Sequence, residues 1–317
     1  MSYDVIIVGA ASAGLTAALY TGRQGLRTLV VSKDVGGQAL LTSDIQNYPG
    51  IISTGGLELM DKFEAQAKSF GAEFVFDEVA EILDTGDACF RLKTVTGKEF
   101  ESCALILAFG KTPRDLGASG EQRLKGKGVS YCAVCDGPLF KGKPVAVVGS
   151  ADQALDAAGY LSRLASEVYL IHRGPKPIAD DELLGRVKSA GNVEFIANSE
   201  VSEMKGKDEL ENLVVLNKDT GETSQLKVEG VFVEIGYVAR TGFVQQLVQL
   251  NGRNEIVVDK ECNTSHPGIF AAGDVTDVPY KQAVVSAGQG CIAALSAYNY
   301  LQRLRGKSAI RADWKSL

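Results

Sequence analysis

The sequence lacks three features that would assign it to large classes of proteins. No stretch of its 317 residues approaches the roughly 18 apolar residues that a membrane-spanning helix needs. The chain starts with MSYDVIIVG, without the basic and hydrophobic regions of a secretory signal. The net charge is −6 and there is no basic patch, which argues against a nucleic-acid partner. We therefore expect a cytoplasmic protein that binds neither membrane nor nucleic acid.

The sequence is also poor in metal ligands around its one Cys-x-x-Cys motif, Cys132 and Cys135. A zinc site needs about four ligands, but there is no second such motif, and the only two histidines, His172 and His266, are interpreted as structural. Haem attachment would need a histidine directly after Cys135, where Asp136 stands. A static disulfide is disfavoured in a reducing compartment. We therefore expect no metal, and we interpret the Cys132/Cys135 pair as a dithiol that cycles between reduced and oxidised forms.

Four further cysteines stand alone within apolar surroundings. They are Cys89, Cys103, Cys262 and Cys291. Because cysteine packs as a small hydrophobic residue, we interpret these four as buried free thiols. A redox role is therefore assigned to the Cys132/Cys135 pair alone.

A strand, a glycine-rich turn and a helix occur twice along the chain. DVIIVG is followed by GAASAG and a helical pattern, and PVAVVG is followed by SADQALDAAGYLSRLA, with Gly149 lying 140 residues after Gly9. A repeated βαβ unit at this separation predicts an α/β protein with two Rossmann-like, doubly wound domains. Linker-like segments at GKTPR and YVARTG predict that the second domain is inserted into the first. The expected domains are 1–113 with 244–317, and 114–243.

The first turn departs from the G-x-G-x-x-G pattern of dinucleotide sites, because it reads Gly9, Ala11 and Gly14. A late strand in GIFAAGDV ends at Asp274, where a carboxylate is placed to accept a hydrogen bond from a ribityl hydroxyl. The helix that follows, beginning near Gln282, directs its positive end at an electron-rich ring. Together these features favour a flavin dinucleotide at the first turn.

Five segments share an order and spacing that are specific as a set. They are GGQ at 36–38, NYPG at 47–50, SYCAVCDG, FAAGDV and YKQAVVSAGQGCIAALSAYNYL. Over nearly the whole chain they resemble the low-molecular-weight thioredoxin reductases. The resemblance implies a homodimeric FAD protein, with an FAD-binding domain and an inserted nicotinamide-type domain that carries the redox-active disulfide.

The resemblance places FAD on eleven residues of this chain. They are Gly9, Ala11, Gly14, Gly36, Gly37, Gln38, Asn47, Gly273, Asp274, Gln282 and Ala283. Ser32 stands where many Rossmann sites carry an acidic residue, and its hydroxyl is expected to bind the adenosine ribose instead. FAD therefore remains the expected cofactor.

The resemblance also implies roles for the cysteine pair and its neighbour. Cys135 would face the flavin, Cys132 would attack the disulfide of a thioredoxin or thioredoxin-like protein, and Asp136 would protonate the leaving thiolate. In such motifs the thiolate is stabilised below the pKa of about 8.5 of free cysteine, which makes it a competent nucleophile. The implied activity is that of a flavin-dependent thiol-disulfide oxidoreductase.

The segment expected to bind the 2′-phosphate of NADPH is degraded. Typical members of the family carry HRRxxxR, whereas this chain reads HRGPKPI over 172–178, with Gly174 and Ile178 in place of arginines. Arg173 remains, with Lys176 as a partial substitute. Two lost charge-assisted hydrogen bonds weaken NADPH binding by about two to four powers of ten. The resemblance therefore extends to the ferredoxin-dependent flavin thioredoxin reductases, and ferredoxin is the expected donor.

Two questions stay open at this level. The tail over 306–317 contains Trp314, the only tryptophan, which is interpreted either as part of a frayed terminus or as an aromatic lid stacked on the flavin ring. The function has three alternatives: an NAD(P)H-dependent thioredoxin reductase, a diflavin-linked disulfide oxidoreductase with a second FAD, and a non-catalytic flavin redox sensor.

Overall fold

Residues 2–41 and 45–308 are described by the computed structural model. They divide into two units. The first unit runs to Thr112 and resumes at Val238, and the inserted unit spans Pro113–Tyr237. Each unit has its own sheet built around parallel strands with flanking helices, the Rossmann-like arrangement expected from the repeated βαβ pattern.

The inserted unit ends earlier than the sequence predicts, at Tyr237 and not at 243. The reason lies in the apolar residues that follow. Ala239, Val244 and Val248 are buried in the hydrophobic core of the first unit, so the chain has already returned there. The linker-like segment YVARTG is thus part of the first unit from Val238 onward.

The first unit begins with the predicted βαβ pattern and continues into an antiparallel meander. Its first two strands are apolar and mostly buried, as central strands of a parallel sheet are. The segment ACFRLKTVTGKEFESCALILAFG predicts a hairpin with a Thr-Gly turn, and the fifth and sixth strands form it. In chain order the elements are β1 (Ser2–Val8), α1 (Ser12–Arg23), β2 (Thr28–Ser32), a 3₁₀ turn (Gly37–Leu41), α2 (Gly56–Ser69), β3 (Glu73–Phe76), β4 (Val79–Gly86), β5 (Cys89–Thr94), β6 (Glu99–Leu107) and β7 (Thr112–Pro113).

The inserted unit repeats the parallel pattern and adds an antiparallel sheet. The elements are α3 (Glu121–Leu124), β8 (Val129–Ser130), α4 (Ala133–Asp136), a 3₁₀ turn (Gly137–Phe140), β9 (Pro144–Val148), α5 (Asp152–Leu161), β10 (Glu167–Ile171), α6 (Asp181–Lys188), β11 (Val193–Ile196), β12 (Ser199–Lys205), β13 (Asn212–Asn217), β14 (Thr223–Lys227) and β15 (Gly230–Val233). The parallel sheet has the order β11-β10-β9-β15-β8, and β12-β13-β14 form the antiparallel one. The segment LENLVVLNKDTGETSQLKVEG predicts a hairpin about 219–222, and β13 and β14 form it.

The chain returns to the first unit through β16 (Tyr237–Val238), which pairs with β7, and continues to β17 (Ile269–Ala271), a 3₁₀ turn (Gly273–Val275) and α7 (Ala283–Leu304). The sheet of the first unit has the order β3-β2-β1-β6-β5-β4, with β17 parallel to β6. This topology brings the carboxyl ends of β1, β2, β6 and β17 to one edge, where Rossmann-like sheets bind their ligands.

α7 packs closely on α1 through a glycine. A Cβ on Gly290 would clash with the backbone carbonyl of Ala13, so a larger residue there would push the two helices apart. Small residues continue the contact, since Ala293, Ala294 and Ala297 are all buried. Among the residues that the structure describes, no helix combines the length and apolar character needed to cross a membrane.

One predicted strand does not form. The sequence EIVVD over 255–259 predicts a strand, but Ile256 makes only isolated β-bridges. The backbone N–H of Val258 donates to the carboxylate of Asp277 at 3.3 Å. A side chain thus takes the hydrogen bond that a neighbouring strand would otherwise accept.

Candidate active site

The Cys-x-x-Cys motif follows β8 and spans the start of the short helix α4, which contains Cys135. Cys132 and Cys135 are joined as a disulfide, with a Cα–Cα distance of 5.4 Å. Cys132 is also the N-cap of α4, because its Sγ accepts a hydrogen bond from the backbone N–H of Cys135 at 3.1 Å. Cys135 is exposed and Cys132 is half-buried, so the pair is accessible from solvent on the Cys135 side.

Asp136 is held beside the disulfide loop by Ser130. The hydroxyl of Ser130 donates a hydrogen bond to a carboxylate oxygen of Asp136 at 2.7 Å. The same hydroxyl oxygen accepts a hydrogen bond from the backbone N–H of Cys132 at 3.0 Å. Ser130 is itself buried, so this bridge is shielded from water. Sequence reasoning assigned Asp136 but missed Ser130, although it stands inside the quoted segment SYCAVCDG.

A second carboxyl group, that of Glu234, lies at the start of α4, the helix that contains Cys135. It follows β15, and it accepts hydrogen bonds from the Gln153 side chain at 2.6 Å and from the backbone N–H of Ala133. Burial raises the pKa of Glu234 to about 7, because those two hydrogen bonds offset only part of the desolvation of the charged form. Sequence reasoning missed this residue, because a single acidic residue after the apolar run GVFV belongs to no recognised motif.

The raised pKa of Glu234 makes the stability of the inserted unit depend on pH. In the unfolded chain a glutamate ionises near 4.5, whereas in the folded chain Glu234 keeps its proton up to about 7. The folded state therefore binds the extra proton, and the free energy of unfolding falls as pH rises between these values, by up to about 3 kcal/mol. Well above pH 7 the full decrease in the free energy of unfolding is present, and well below pH 4.5 there is no decrease.

Glu234→Gln is expected to remove this dependence. Urea denaturation between pH 4.5 and 8 should show the parent losing stability relative to the variant across that window. Glu222→Gln, on an exposed turn, is the matched control and should run parallel to the parent. Parallel curves for Glu234→Gln and the parent would contradict the assignment.

The glycine turn after β1 has the geometry of a dinucleotide site despite its alanine. Gly9 has φ +108°, and a Cβ there would clash with the backbone of Ala108. A Cβ on Gly14 would clash with the carbonyl oxygen of Gly9. Ala11, in contrast, has φ −111° and ψ −165°, an extended conformation that any residue adopts. The middle glycine is therefore dispensable for the backbone path of this turn.

The segments after β2 close against this turn. The N–H of Gly36 donates to the carbonyl oxygen of Ala10 at 2.7 Å, and Gly37 also has a left-handed backbone. The side-chain amide of Gln38 donates to the carbonyl oxygen of Lys111 at 3.1 Å, beyond the end of β6. Gly36, Gly37 and Gln38, which the sequence assigned to FAD, are thus brought to the carboxyl edge of the sheet.

The start of α7 reaches the same edge. The side chain of Asn47 donates to that of Gln282 at 3.0 Å, and α7 begins at the next residue, Ala283. Asp274 follows β17 and accepts a hydrogen bond from the hydroxyl of Ser286 at 3.2 Å. Asn47 and Gln282 are 235 positions apart in the sequence, and the fold makes them neighbours.

The residues present fit an FAD molecule. α1 starts at Ser12 without a side-chain cap from the described residues, which leaves its first N–H groups available to phosphate oxygens. Gly273 has φ +79°, and a Cβ there would lie 2.9 Å from that of Ala13, so the late strand also needs a glycine where it meets α1. Ser32 ends β2 at this edge. Trp314 lies outside the described residues.

The glycine turn of the inserted unit has the same backbone shape as that of the first unit, but a negative charge follows it that disfavours a bound pyrophosphate. A Cβ on Gly149 would clash with the carbonyl oxygen of Glu234, so glycine is required. Ala151 is extended, with φ −97° and ψ 177°, as Ala11 is in the first unit. α5 then begins with Asp152, an exposed carboxylate in the first turn. Such a charge stabilises the helix start itself and repels a pyrophosphate placed there.

The loop after β10 has little positive charge left for a 2′-phosphate. The guanidinium of Arg173 forms an ion pair with Glu200 at 3.1 Å, a contact that the sequence did not reveal. Ile178 is 77% exposed, and its N–H donates to the carbonyl oxygen of Ser150 at 2.6 Å, so the loop folds back on the glycine turn. Lys176 is exposed. The position of a third arginine is thus an apolar side chain facing solvent.

Comparison with known proteins places the chain among flavin enzymes. The family model for pyridine nucleotide-disulphide oxidoreductases matches residues 3–290. The thioredoxin reductase of Listeria innocua is 40% identical over 313 residues, which cover 98% of this chain and 97% of that protein. The solved thioredoxin reductase of Lactococcus lactis, in its FR conformation, aligns with a TM-score of 0.82 and 34% identity over 95% of this chain and 99% of that one.

A second solved structure bears on the electron donor. The ferredoxin-flavin thioredoxin reductase of Clostridium acetobutylicum aligns with a TM-score of 0.55 and 32% identity, over 97% of this chain and 100% of that one. The matches extend over both units, and the family that they share is FAD-dependent. The chain therefore belongs to the pyridine nucleotide-disulphide oxidoreductases, as a flavin disulfide oxidoreductase of the low-molecular-weight thioredoxin reductase type.

Proposed function

We propose that this protein reduces the disulfides of thioredoxin or thioredoxin-like proteins through FAD and the Cys132/Cys135 pair, with reduced ferredoxin as its electron donor. The observation that carries the choice of donor is the loop after β10. Its one arginine, Arg173, is already paired with Glu200, and the exposed Ile178 stands where a further cation would be needed. The enzyme class follows from the family, and the donor is the new element.

The cysteine pair exchanges two electrons with the substrate. Two electrons and two protons convert the Cys132–Cys135 disulfide into a dithiol. Cys132 passes its proton to Asp136, and the resulting thiolate attacks the substrate disulfide, forming a mixed disulfide and releasing one substrate thiolate, which takes that proton from Asp136. Attack of Cys135 on the Cys132 sulfur re-forms the internal disulfide and releases the second substrate thiol. Ser130 keeps Asp136 beside this exchange through its 2.7 Å hydrogen bond.

The first unit is proposed to hold FAD at the carboxyl edge of its sheet. The start of α1 would bind the pyrophosphate, Ser32 would bind the adenosine ribose, Asp274 would accept a hydrogen bond from a ribityl hydroxyl, and the start of α7 would direct its positive end at the ring. When bound, FAD supplies a centre that accepts electrons singly and transfers them as a pair. That property matches a one-electron donor to a two-electron disulfide.

Ferredoxin has enough driving force for this reaction. The reduction potential is about −400 mV for plant-type ferredoxins and about −270 mV for thioredoxin, a gap of roughly 6 kcal/mol for two electrons. The solved relative from Clostridium acetobutylicum is named a ferredoxin-flavin thioredoxin reductase, which supports this choice. NADPH remains the second candidate, because the family that matches the chain is named for a pyridine nucleotide.

One anaerobic titration separates the two donors. FAD-loaded protein is mixed first with micromolar NADPH and then with reduced ferredoxin, and the yellow flavin absorbance is followed in time. We expect little bleaching by NADPH and rapid bleaching by ferredoxin, followed by reduction of an added thioredoxin. NADH serves as the control nucleotide without the 2′-phosphate. Rapid bleaching at micromolar NADPH would overturn the donor assignment.

A homodimer and a cytoplasmic location are part of this proposal. An open apolar groove of about 570 Å³ runs between α1, α2 and α7 and suits the matching face of a second copy; its lining includes Leu15, Leu19, Phe63 and Val284. Four free thiols among the described residues suit a reducing compartment. Light scattering of the FAD-loaded protein tests the dimer, and a monomer mass at micromolar concentration would exclude it.

A further inference from the structure

Two cysteines outside the redox motif face each other in the first unit. β5 and β6 are antiparallel, and the pairing of Phe90 with Ser102 places Cys89 directly opposite Cys103. Their Sγ atoms are 3.2 Å apart. Both side chains are half-buried and not fully enclosed, contrary to the sequence-based interpretation of buried thiols. A small solute can therefore reach a pair of sulfur atoms that are already in contact.

The strand geometry allows a covalent bond between them. Residues directly opposite in an antiparallel pair have Cα atoms about 4.5 to 5.5 Å apart, within the roughly 4.4 to 6.8 Å range of natural disulfides. The sulfur atoms lie on the same face of the sheet, because opposite residues share a face. Closing the bond thus needs no change of register between β5 and β6.

The surroundings distinguish the two sulfurs. Burial raises the pKa of Cys103 to about 11, with further contributions from its hydrogen bond to Cys89 and from the charge of Asp4, and Arg305 offsets only part of this. Cys103 therefore keeps its proton at neutral pH. Its S–H can donate to the sulfur of Cys89, which leaves Cys89 as the sulfur that reacts first.

We propose that Cys89 and Cys103 form a second dithiol/disulfide couple, which oxidants of the peroxide class close within the first unit. The Cys89 thiolate attacks one oxygen of hydrogen peroxide and breaks the O–O bond, giving a sulfenic acid and hydroxide, which takes up a proton to become water. The Cys103 sulfur then attacks the Cys89 sulfur, the S–S bond forms and a second water leaves. Two thiols and one peroxide thus give one disulfide and two waters.

The other two free cysteines provide internal controls. Cys262 is 1% exposed, and its thiol donates to the carbonyl oxygen of Gln289 at 3.6 Å. Burial raises the pKa of Cys262 to about 12, which leaves almost no thiolate at neutral pH. Cys291 is hydrogen-bonded to Tyr20 and burial raises its pKa as well. Neither is expected to enter a disulfide.

The test uses the FAD-loaded Cys132→Ser/Cys135→Ser protein, in which only the four other thiols remain. It is treated with hydrogen peroxide, alkylated under denaturing conditions and digested with trypsin. Cys89 and Cys103 lie on separate tryptic peptides, 69–91 and 99–111. We expect these two peptides linked, a fall from four alkylated thiols to two, and recovery of all four after dithiothreitol.

Cys89→Ser in the same background is the matched control. It should keep Cys103 alkylatable and give no linked peptide, because the pair is then incomplete. Retention of four thiols after peroxide, or oxidation of Cys89 to sulfinic acid without a link, would overturn the proposal. Because the readout is a covalent mass and not turnover, its failure is distinct from failure of the thioredoxin reductase activity.

Discussion

A Cys135→Ser variant is expected to lose disulfide turnover by at least about a thousandfold while keeping its flavin spectrum. A serine hydroxyl cannot form the internal disulfide, so the two electrons have nowhere to be stored between donor and substrate. The flavin spectrum is retained because Cys135 belongs to the inserted unit, whereas the predicted FAD residues lie in the first unit. Steady-state reduction of a thioredoxin-type disulfide measures the loss.

The single variants also separate the roles of the two cysteines. In Cys135→Ser, Cys132 can still attack a substrate disulfide, but no second thiol resolves the product, so a mixed disulfide with thioredoxin should accumulate. Cys132→Ser should accumulate none. Exposure alone suggests the opposite assignment, since Cys135 is exposed and Cys132 half-buried, so the trapping experiment is decisive. A trapped complex in Cys132→Ser would reverse the proposed roles.

A cysteine outside the motif supplies the control. Cys291→Ser retains a hydroxyl able to hydrogen-bond to Tyr20, so folding and FAD binding should be preserved. Its turnover should match that of the parent. If Cys291→Ser lost activity to the same extent as Cys135→Ser, the loss would reflect damage to the protein and not removal of the redox pair.

The parts of the site that follow from local spacing could be predicted from sequence. The glycine turns and the Cys-x-x-Cys pair depend on residues a few positions apart, and Gly9, Gly14 and Gly149 show the steric need for glycine that their motifs imply. Contacts between distant segments could not be predicted. Gln153 and Glu234 are 81 residues apart and meet only because β9 and β15 are neighbours in the sheet.

The same distinction explains the errors and omissions. The strand expected over 255–259 has a suitable apolar pattern, but its backbone groups bond to separate segments, since Ile256 N–H donates to Val275 and Val258 N–H to the side chain of Asp277. The interpretation of Cys89 and Cys103 as isolated thiols followed from their separation along the chain, which hides their position opposite one another on β5 and β6. The pairing of Arg173 with Glu200 was hidden in the same way, and it bears directly on the donor.

Restoring the two missing arginines is expected to restore NADPH binding. In Gly174→Arg/Ile178→Arg the Kd for NADPH should fall by about a hundredfold to ten-thousandfold, because each charge-assisted hydrogen bond to phosphate contributes about 1.5–3 kcal/mol. The structure has room for both side chains. The nearest atom to a Cβ on Gly174 is 3.6 Å away, an ordinary contact, and Ile178 is 77% exposed. Fluorescence titration of FAD-loaded protein gives the two Kd values.

Matched variants separate the effect of the arginine charge on NADPH binding from the effect of side-chain size. Gly174→Gln/Ile178→Gln adds side chains of similar reach without charge, and it should bind NADPH as weakly as the parent. NADH lacks the 2′-phosphate, so its Kd should be the same in all three proteins. Glu200→Gln should further improve NADPH binding by releasing Arg173 from its 3.1 Å ion pair. If the arginine and glutamine variants bound NADPH equally, phosphate charge would not be what limits this nucleotide, and the acidic start of α5 at Asp152 would become the dominant barrier.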